Sequence, residues 1–600
     1  MTKITIATAL LIALPVQALA ADLSVLPAHI RTDPFGQIVA ADRAAAVPPA
    51  KQITLVSARG AYASCRIVVS GAQPAAYSVS ASGELAAELY REWFHFLPKS
   101  KLYYPDALIP AALPHKAQLP DAANHIQGQT AQSYWLDIWI PESATPGVQA
   151  LTVSLDSGGV KSSVPIRVEV LDAVVPAEDP IVIDHNSYGT SWFAGQYPEL
   201  AKRTPNFYLS DPFFGLIHAY HRVFMEHRGI YHQLGYGHGG KTAAEFAPRL
   251  EGSGKTKRVA DWTLYDKHYG PLLDGSAFAG TRRGARPIPY VYLPVNPEWP
   301  ASFLWWGEPG YEREFVNVMR EMEAHFREKG WTKTKYELFF NHKKRYKAFH
   351  WDGDETRFLN DLPVFVEYHR LMKTAIPPAS PVKWLFRTDA SWQMERQFKE
   401  QAGIIDFWVV GGGMFNWYAE NAPLLKVRGD TVWTYGGTPD VDKPASHITL
   451  DMLRPWMLGV DGFVRWQTVI PGPDPWFKFS GGGETLVYPG GRFGIDAPLA
   501  SVRLKLQRNA LQDLALLDSL KSAIPPASLR AEAAKRYNGT TPADWRSARP
   551  KLADSDPLTW DNVTIGDALP PDPRFESGVD AAAWDRVRGY VISLVKERRP

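Results

Sequence analysis

Hydrophobic residues recur along this chain with two different periods, and the change from one to the other falls near residue 175. Before it, apolar positions sit in short runs, several of which alternate: Ile53-Thr54-Leu55-Val56-Ser57, Ser64-Cys65-Arg66-Ile67-Val68-Val69, residues 134–140 and residues 164–171. Alternation sends successive side chains to opposite faces of a strand, and Pro, Gly and Ser punctuate the runs. Pro146-Gly147-Val148 leads into one more run at 150–155. The pattern predicts a β-sandwich region over 21–175. Pro165 stands early in its run, which predicts a strand start or a sheet edge, because proline cannot donate to a ladder.

From about 180 the order becomes strand, polar loop, helix, repeated. Eight candidate strands fall at 181–184, 230–234, 288–293, 336–340, 382–386, 404–410, 431–435 and 462–466. Between them lie amphipathic stretches such as 311–329, where Phe315, Val318, Met319, Met322 and Phe326 recur at helical spacing, and 358–373. Eight such units predict a (β/α)8 TIM-type barrel over 176–505, irregular around its second unit, where long loops rich in His, Gly and Lys intervene. Beyond it, 502–514 reads as a helix continuing to 520, and the Ala- and Pro-rich tail closes on a helix near 581–596. The fold class expected is therefore multidomain: an N-terminal β-sandwich, a barrel, and a mainly helical C-terminal region over 506–600.

Residues 1–20 have the form of a signal peptide. Lys3 gives a basic start, 4–16 an apolar core too short for a permanent span, and Ala18-Leu19-Ala20 a small-x-small cleavage site. Export to the periplasm or the medium is the expectation. A single cysteine, Cys65, excludes an internal disulfide. The net charge of +2 carries no long basic tract, and no second long apolar run follows, so neither nucleic acid nor stable membrane insertion is expected.

In a barrel of this kind the chemistry sits at the C-terminal ends of the strands. There the sequence offers Asp184-His185-Asn186-Ser187-Tyr188, Glu298-Trp299, Asn341-His342, Arg387-Thr388-Asp389, Phe415-Asn416-Trp417-Tyr418, Trp433-Thr434-Tyr435 and Arg465-Trp466-Gln467. Aromatics make up 12% of the chain, and those at the strand ends are interleaved with hydrogen-bonding residues, which suits the C–H faces and hydroxyls of a sugar. The densest acidic point is Trp351-Asp352-Gly353-Asp354-Glu355-Thr356. Adjacent residues on a strand face opposite ways, so Asp354 and Glu355 address one cleft only where the strand breaks, and Gly353 supplies a break. Crowded carboxylates raise one another's proton affinity, so one can serve as an acid near neutral pH. A solvated Gly-Asp-Glu turn is the alternative.

Asn341 and His342 are candidates to hydrogen-bond sugar hydroxyls, with capping of local structure the alternative for His342, and Asp352 is a candidate third carboxylate in a substrate-binding cleft or else a turn residue. Tyr418 and Tyr435 are candidates to hydrogen-bond a bound sugar, and Trp417, Trp433 and Trp466 to floor it; inner-barrel packing is the alternative for each. His218, His221, His227, His232 and His238 form no HExxH or other zinc pattern, so no metal or cofactor is expected. Gly411-Gly412-Gly413 is a loop hinge, since no Lys-Ser/Thr follows.

The block Trp433-Thr434-Tyr435-Gly436, then 454–466, then Tyr488-Pro489-Gly490, Ser501-Val502-Arg503-Leu504 and Arg508-Asn509-Ala510-Leu511-Gln512-Asp513, resembles the last strands and following helix of glycoside hydrolase family 123 and its barrel relatives. The likeness covers about 180–520. It implies a β-sandwich ahead of a barrel that hydrolyses β-linked N-acetylhexosaminides of the N-acetylgalactosamine type, by a substrate-assisted, retaining mechanism. In that scheme Asp354 orients the acetamido N–H, and Glu355 protonates the leaving oxygen and later activates water; an anionic neighbour would help keep Glu355 protonated for that task. The family commonly has Pro after the pair; here Thr356 stands there. Two alternatives stay open: a glycosidase of plain sugars pairing Glu355 with Asp184, Glu298 or Asp389, and a glycan-binding protein without activity.

Overall fold

The computed structural model describes residues 21–597 apart from 73, 238–241, 297–298, 302–306, 344–349, 357–358, 391–397, 412–420, 471, 473, 479–482, 484 and 540–578. Residues 1–20, expected to be a signal peptide, and the candidates Trp417 and Tyr418, with Glu298 and His238, lie outside the described residues.

The first 150 or so of these form two five-stranded sheets. One runs in the order Asp22–Pro27, Ala61–Ser70, Ala131–Ile140, Ala86–Leu97, Leu102–Ala111, and every pairing in it is antiparallel. The other runs Ile53–Arg59, Val160–Val174, Gly147–Ser157, Ala75–Gly83, His115–Leu119. Their inner faces close on Ile67, Leu136, Val153 and Val168, all fully buried. Pro165 lies inside its strand, not at the start, and that strand is an inner one. The ladder with Ile53–Arg59 begins only at Ile166, so at Pro165 that side is locally an edge and no N–H is demanded there.

Eight parallel strands follow: β1 (Val182–Tyr188), β2 (Ile230–Leu234), β3 (Tyr290–Tyr292), β4 (Lys335–Leu338), β5 (Lys383–Ala390), β6 (Phe407–Gly411), β7 (Thr431–Gly436) and β8 (Gly462–Arg465). They pair in the order β2-β1-β8-β7-β6-β5-β4-β3, a nearly closed barrel whose seam lies between β2 and β3. Side chains bridge that seam. His232 of β2 stacks on Tyr292 of β3 with centroids 3.6 Å apart. Just past β2, the Tyr236 hydroxyl donates to the Val295 carbonyl (3.3 Å) and accepts from the Asn341 N–H (2.9 Å), fastening the ends of three strands. Amphipathic helices at Asp211–Glu226, Thr263–Leu273, Tyr311–Glu328, Leu362–Ala375, Asn421–Arg428 and Leu450–Leu458 fill six of the seven crossovers. Among the described residues the β5–β6 crossover shows only a helical turn at 398–400, so the eightfold strand–helix alternation is seen in part.

The helix Val502–Ser519 is buried on all sides between sandwich and barrel. Ser501 caps it, its Oγ accepting from the Leu504 N–H at 3.1 Å. Its cations are matched by sandwich carboxylates. Arg503 pairs bidentately with Asp106 (3.0 and 2.6 Å), which also accepts from the Tyr488 hydroxyl (2.7 Å). Lys505 (2.6 Å) and Arg508 (2.7 and 2.8 Å) converge on Asp137. Although burial opposes ionisation, Arg508 and Lys505 hold the Asp137 carboxyl well below the usual range. The tyrosine of the Tyr-Pro-Gly turn and the arginines of the motif that follows thus dock the sandwich onto the barrel.

Candidate active site

At the C-terminal mouth of the barrel a cleft of about 220 Å³ opens between the ends of β1, β2, β4, β5, β7 and β8. Its composition follows from strand geometry. Alternate residues share a face, so β1 contributes Asn186 and Tyr188, the extended end of β4 contributes Phe339, Asn341 and Lys343, β5 contributes Arg387 and Asp389, and β8 contributes Val464 and Trp466. The residues between them point the other way: Phe340 and His342 pack edge-on against Trp351, at 4.9 and 4.6 Å between centroids.

Asp354 and Glu355 both line this cleft. The chain returns beside β4, where the Gly353 and Asp354 N–H groups donate to the His342 carbonyl (3.0 and 3.2 Å). It then runs along β5, with Asp389 N–H donating to the Asp354 carbonyl (3.1 Å) and Thr356 N–H to the Asp389 carbonyl (3.4 Å). Gly353 is needed for close approach: a Cβ there would stand 2.5 Å from Phe340 Cβ and 2.8 Å from the Phe340 carbonyl oxygen.

A cation joins the two acids. Lys343 Nζ lies 2.8 Å from Asp354 Oδ2 and 3.3 Å from Glu355 Oε2. Burial works against its charge, yet Asp354 and Glu355 outweigh burial and hold the ammonium above the usual lysine range. Asp389 flanks the pair; Glu355 sits directly beside it as an isolated parallel bridge. Burial pushes the Asp389 carboxyl up, Arg387 draws it back, and the charges of Asp354 and Glu355 push it up again, to about 7.

Beneath the cleft the barrel is filled by a polar cluster. Arg387 lies 3.0 Å from Glu337, 3.1 Å from Asp389 and 2.7 Å from the Tyr292 hydroxyl. His232 lies 3.0 Å from Asp184 and 3.6 Å from Glu337. Burial raises the Glu337 carboxyl, partly offset by His232 and Arg387. Arg387 also covers the Phe339 ring at 4.5 Å, a contact that costs the guanidinium little because it is weakly hydrated.

Of the sequence candidates, Asp354, Glu355, Asn341, Tyr435 and Trp466 come together on the cleft wall. Three do not. Trp433 is fully buried and packs edge-on against Tyr290 and Phe407 at 4.7 Å each, filling the barrel two residues below Tyr435 on the same face. His342 is buried among Phe340 and Trp351, and its carbonyl shapes the acidic loop. Asp352 is buried behind the cleft, its N–H donating to Asp361 at 3.0 Å. Lys343 was not anticipated. The signal was present, since it lies two residues past Asn341 on the same face of an extended stretch. Among the described residues no cluster of three His, Cys, Asp or Glu side chains has the form of a metal site, and no helix is long and apolar enough to cross a membrane.

No family model and no curated protein matches this sequence. Among solved structures it is similar to a family 123 glycoside hydrolase from Clostridium perfringens, a structure that concerns glycolipid glycan hydrolysis. The TM-score is 0.65 at 13% identity, covering 96% of this chain and 99% of that one. The sandwich, barrel and buried helix together thus have the fold of a family 123 enzyme, the family that the C-terminal motifs resemble. At that identity the likeness defines the fold. Two further solved structures, the endo-1,4-β-D-xylanase 10B of Clostridium thermocellum (TM-score 0.30, 10% identity, 85% and 94% coverage) and a β-glucuronidase of Bacteroides uniformis (0.26, 9%, 72% and 47%), align too loosely to bear on the site.

Proposed function

We propose that this protein is an exported glycoside hydrolase that cleaves β-linked N-acetylhexosaminides, N-acetylgalactosamine-like, by substrate assistance. The observation that carries the reading is that two sequence-adjacent acids, Asp354 and Glu355, line one cleft at the mouth of an eight-stranded barrel and share one lysine.

The chemistry divides between them. The substrate's acetamido oxygen attacks the anomeric carbon while Glu355 donates its proton to the departing glycosidic oxygen; the C–O bond breaks and an oxazolinium ring closes. Asp354 accepts a hydrogen bond from the acetamido N–H and stabilises the positive charge that develops on the ring. Water then attacks the same carbon and gives a proton to Glu355, restoring both groups with net retention. This is the recognised exception to the two-carboxylate scheme. Trp466, 44% exposed, and Tyr435 both line the cleft, which supports roles for the indole face in stacking on the sugar and for the tyrosine in bonding the acetamido carbonyl.

A second reading has one specific observation in its favour. Glu355 and Asp389 are neighbours in register, as two carboxyls serving a plain sugar would be. Glu355→Gln, assayed on aryl N-acetyl-β-galactosaminide, N-acetyl-β-glucosaminide and the corresponding plain glycosides, separates the possibilities. Activity confined to acetamido substrates and lost in the variant supports the proposal, activity on plain sugars supports the second reading, and wild-type inactivity on all supports a glycan-binding protein.

A further inference from the structure

Glu355 has charged neighbours of opposite sign on two sides. From the end of β4, Lys343 reaches it at 3.3 Å. From β5, Asp389 lies beside it in parallel register, and residues paired in this way send their side chains to the same face. Asp389 is held in place by the Arg387 Nε–H at 3.1 Å, and Arg387 is in turn anchored on Glu337 and Tyr292 below. Neither neighbour is a loose surface side chain: Lys343 is buried, and Asp389 belongs to a strand. Among the described residues, the other charged or ionisable groups lining this cleft are Arg387 on β5, Asp354 on the same loop, Tyr188 from β1 and Tyr435 from β7. Of these, Lys343 and Asp389 are the two that act on Glu355 with opposite sign from different strands.

We propose that Lys343 and Asp389 are opposed positioning residues for Glu355: the ammonium favours its carboxylate form, the neighbouring carboxyl favours its acid form, and the two together set the pH window in which the site donates a proton. The proposal rests on Glu355 being the acid of the proposed reaction. Its physical basis is the ordinary one that an opposite charge within a few ångströms stabilises an ion and a like charge destabilises it. Burial raises the Asp389 carboxyl above the usual range and Arg387 draws it back, and because it shares a face with Glu355 the ionisation of each depends on the state of the other. The Asp389 anion opposes loss of the Glu355 proton, which extends the acid form to higher pH; Lys343 limits that extension.

The test is the alkaline limb of the kcat/KM profile, which falls as the acid loses its proton. Lys343→Gln moves the limb up by about one pH unit, Lys343→Arg leaves it near its wild-type place, and Asp389→Asn moves it down. Carbodiimide labelling of Glu355 against pH, read by peptide mass spectrometry on the folded proteins, gives the same order of midpoints without any turnover. Wild-type inactivity on every glycoside would sink the functional reading, while the labelling midpoints still decide this one. Should Lys343→Gln fail to fold, the near-isosteric Asp389→Asn decides by the sign of its shift alone. Limbs and midpoints that stay fixed, or that shift in the same direction in Lys343→Gln and Asp389→Asn, overturn the proposal and leave both residues merely structural.

Discussion

Trp466 donates its indole N–H to the Tyr188 hydroxyl at 2.9 Å, tying the end of β8 to the end of β1 across the mouth of the cleft. The bond orients a tryptophan that remains 44% exposed on the wall of the cleft that the paired acids also line, and an exposed, oriented aromatic face is what a sugar ring needs for stacking.

Trp466→Ala is expected to weaken substrate binding by about 1–1.5 kcal/mol, roughly tenfold in KM, with a smaller change in kcat. Tyr188→Phe, which removes only the bond that orients the ring, should give a smaller rise of the same kind. Steady-state kinetics on the best aryl glycoside checks both. An unchanged KM in Trp466→Ala would remove this residue from the substrate site.

The period-two geometry of the strands made more of the site legible than the choice of single residues did. All eight barrel strands fall where the apolar runs place them, because parallel strands buried on both faces read as short hydrophobic segments. The acidic pair was legible because it breaks that period. Asn341 and Lys343 share the cleft face, whereas His342 between them turns into a layer of aromatic rings, so adjacency in sequence does not put Asn341 and His342 in one site. Trp433 and Tyr435 show the opposite limit. They share a face, but depth along the barrel axis puts one in the core and the other at the mouth, and a single strand carries no measure of depth. The polar cluster of Arg387, Glu337, His232 and Asp184 was not legible either, since it is assembled from β1, β2, β4 and β5.

Asp389 gives a prediction in pH. Its carboxyl is raised from the ordinary 3.8 to about 7 in the folded protein, so the folded state holds this proton more tightly than the unfolded chain does. The stability contributed is fully present below the unfolded value and is lost as pH rises through 7. Asn carries no such titration. The melting temperature of Asp389→Asn minus that of wild type should therefore become more positive between pH 5 and pH 8. Thermal melts at the two pH values decide the matter, and a constant difference would contradict the raised carboxyl.

Asp137 gives a prediction about the junction. It is fully buried and neutralises Lys505 and Arg508 together. Removing it leaves two cations in the interior without their carboxylate, so Asp137→Ala is expected to cost about 3–5 kcal/mol. Denaturant unfolding measures it. The loss should appear with the barrel's own signal as well as the sandwich's, because the helix that carries both cations touches each. Loss confined to the sandwich would mean that the two parts unfold independently.

Acetamido participation is tested most directly by the substrate itself. In a series of aryl β-N-acylhexosaminides running from acetyl to mono-, di- and trifluoroacetyl, each fluorine withdraws electron density from the carbonyl oxygen that attacks the anomeric carbon. Participation predicts that kcat/KM falls at every step, by more than about tenfold across the series, equivalent to more than about 1.4 kcal/mol in the barrier. A flat series, or one matched by the plain glycosides, would contradict it.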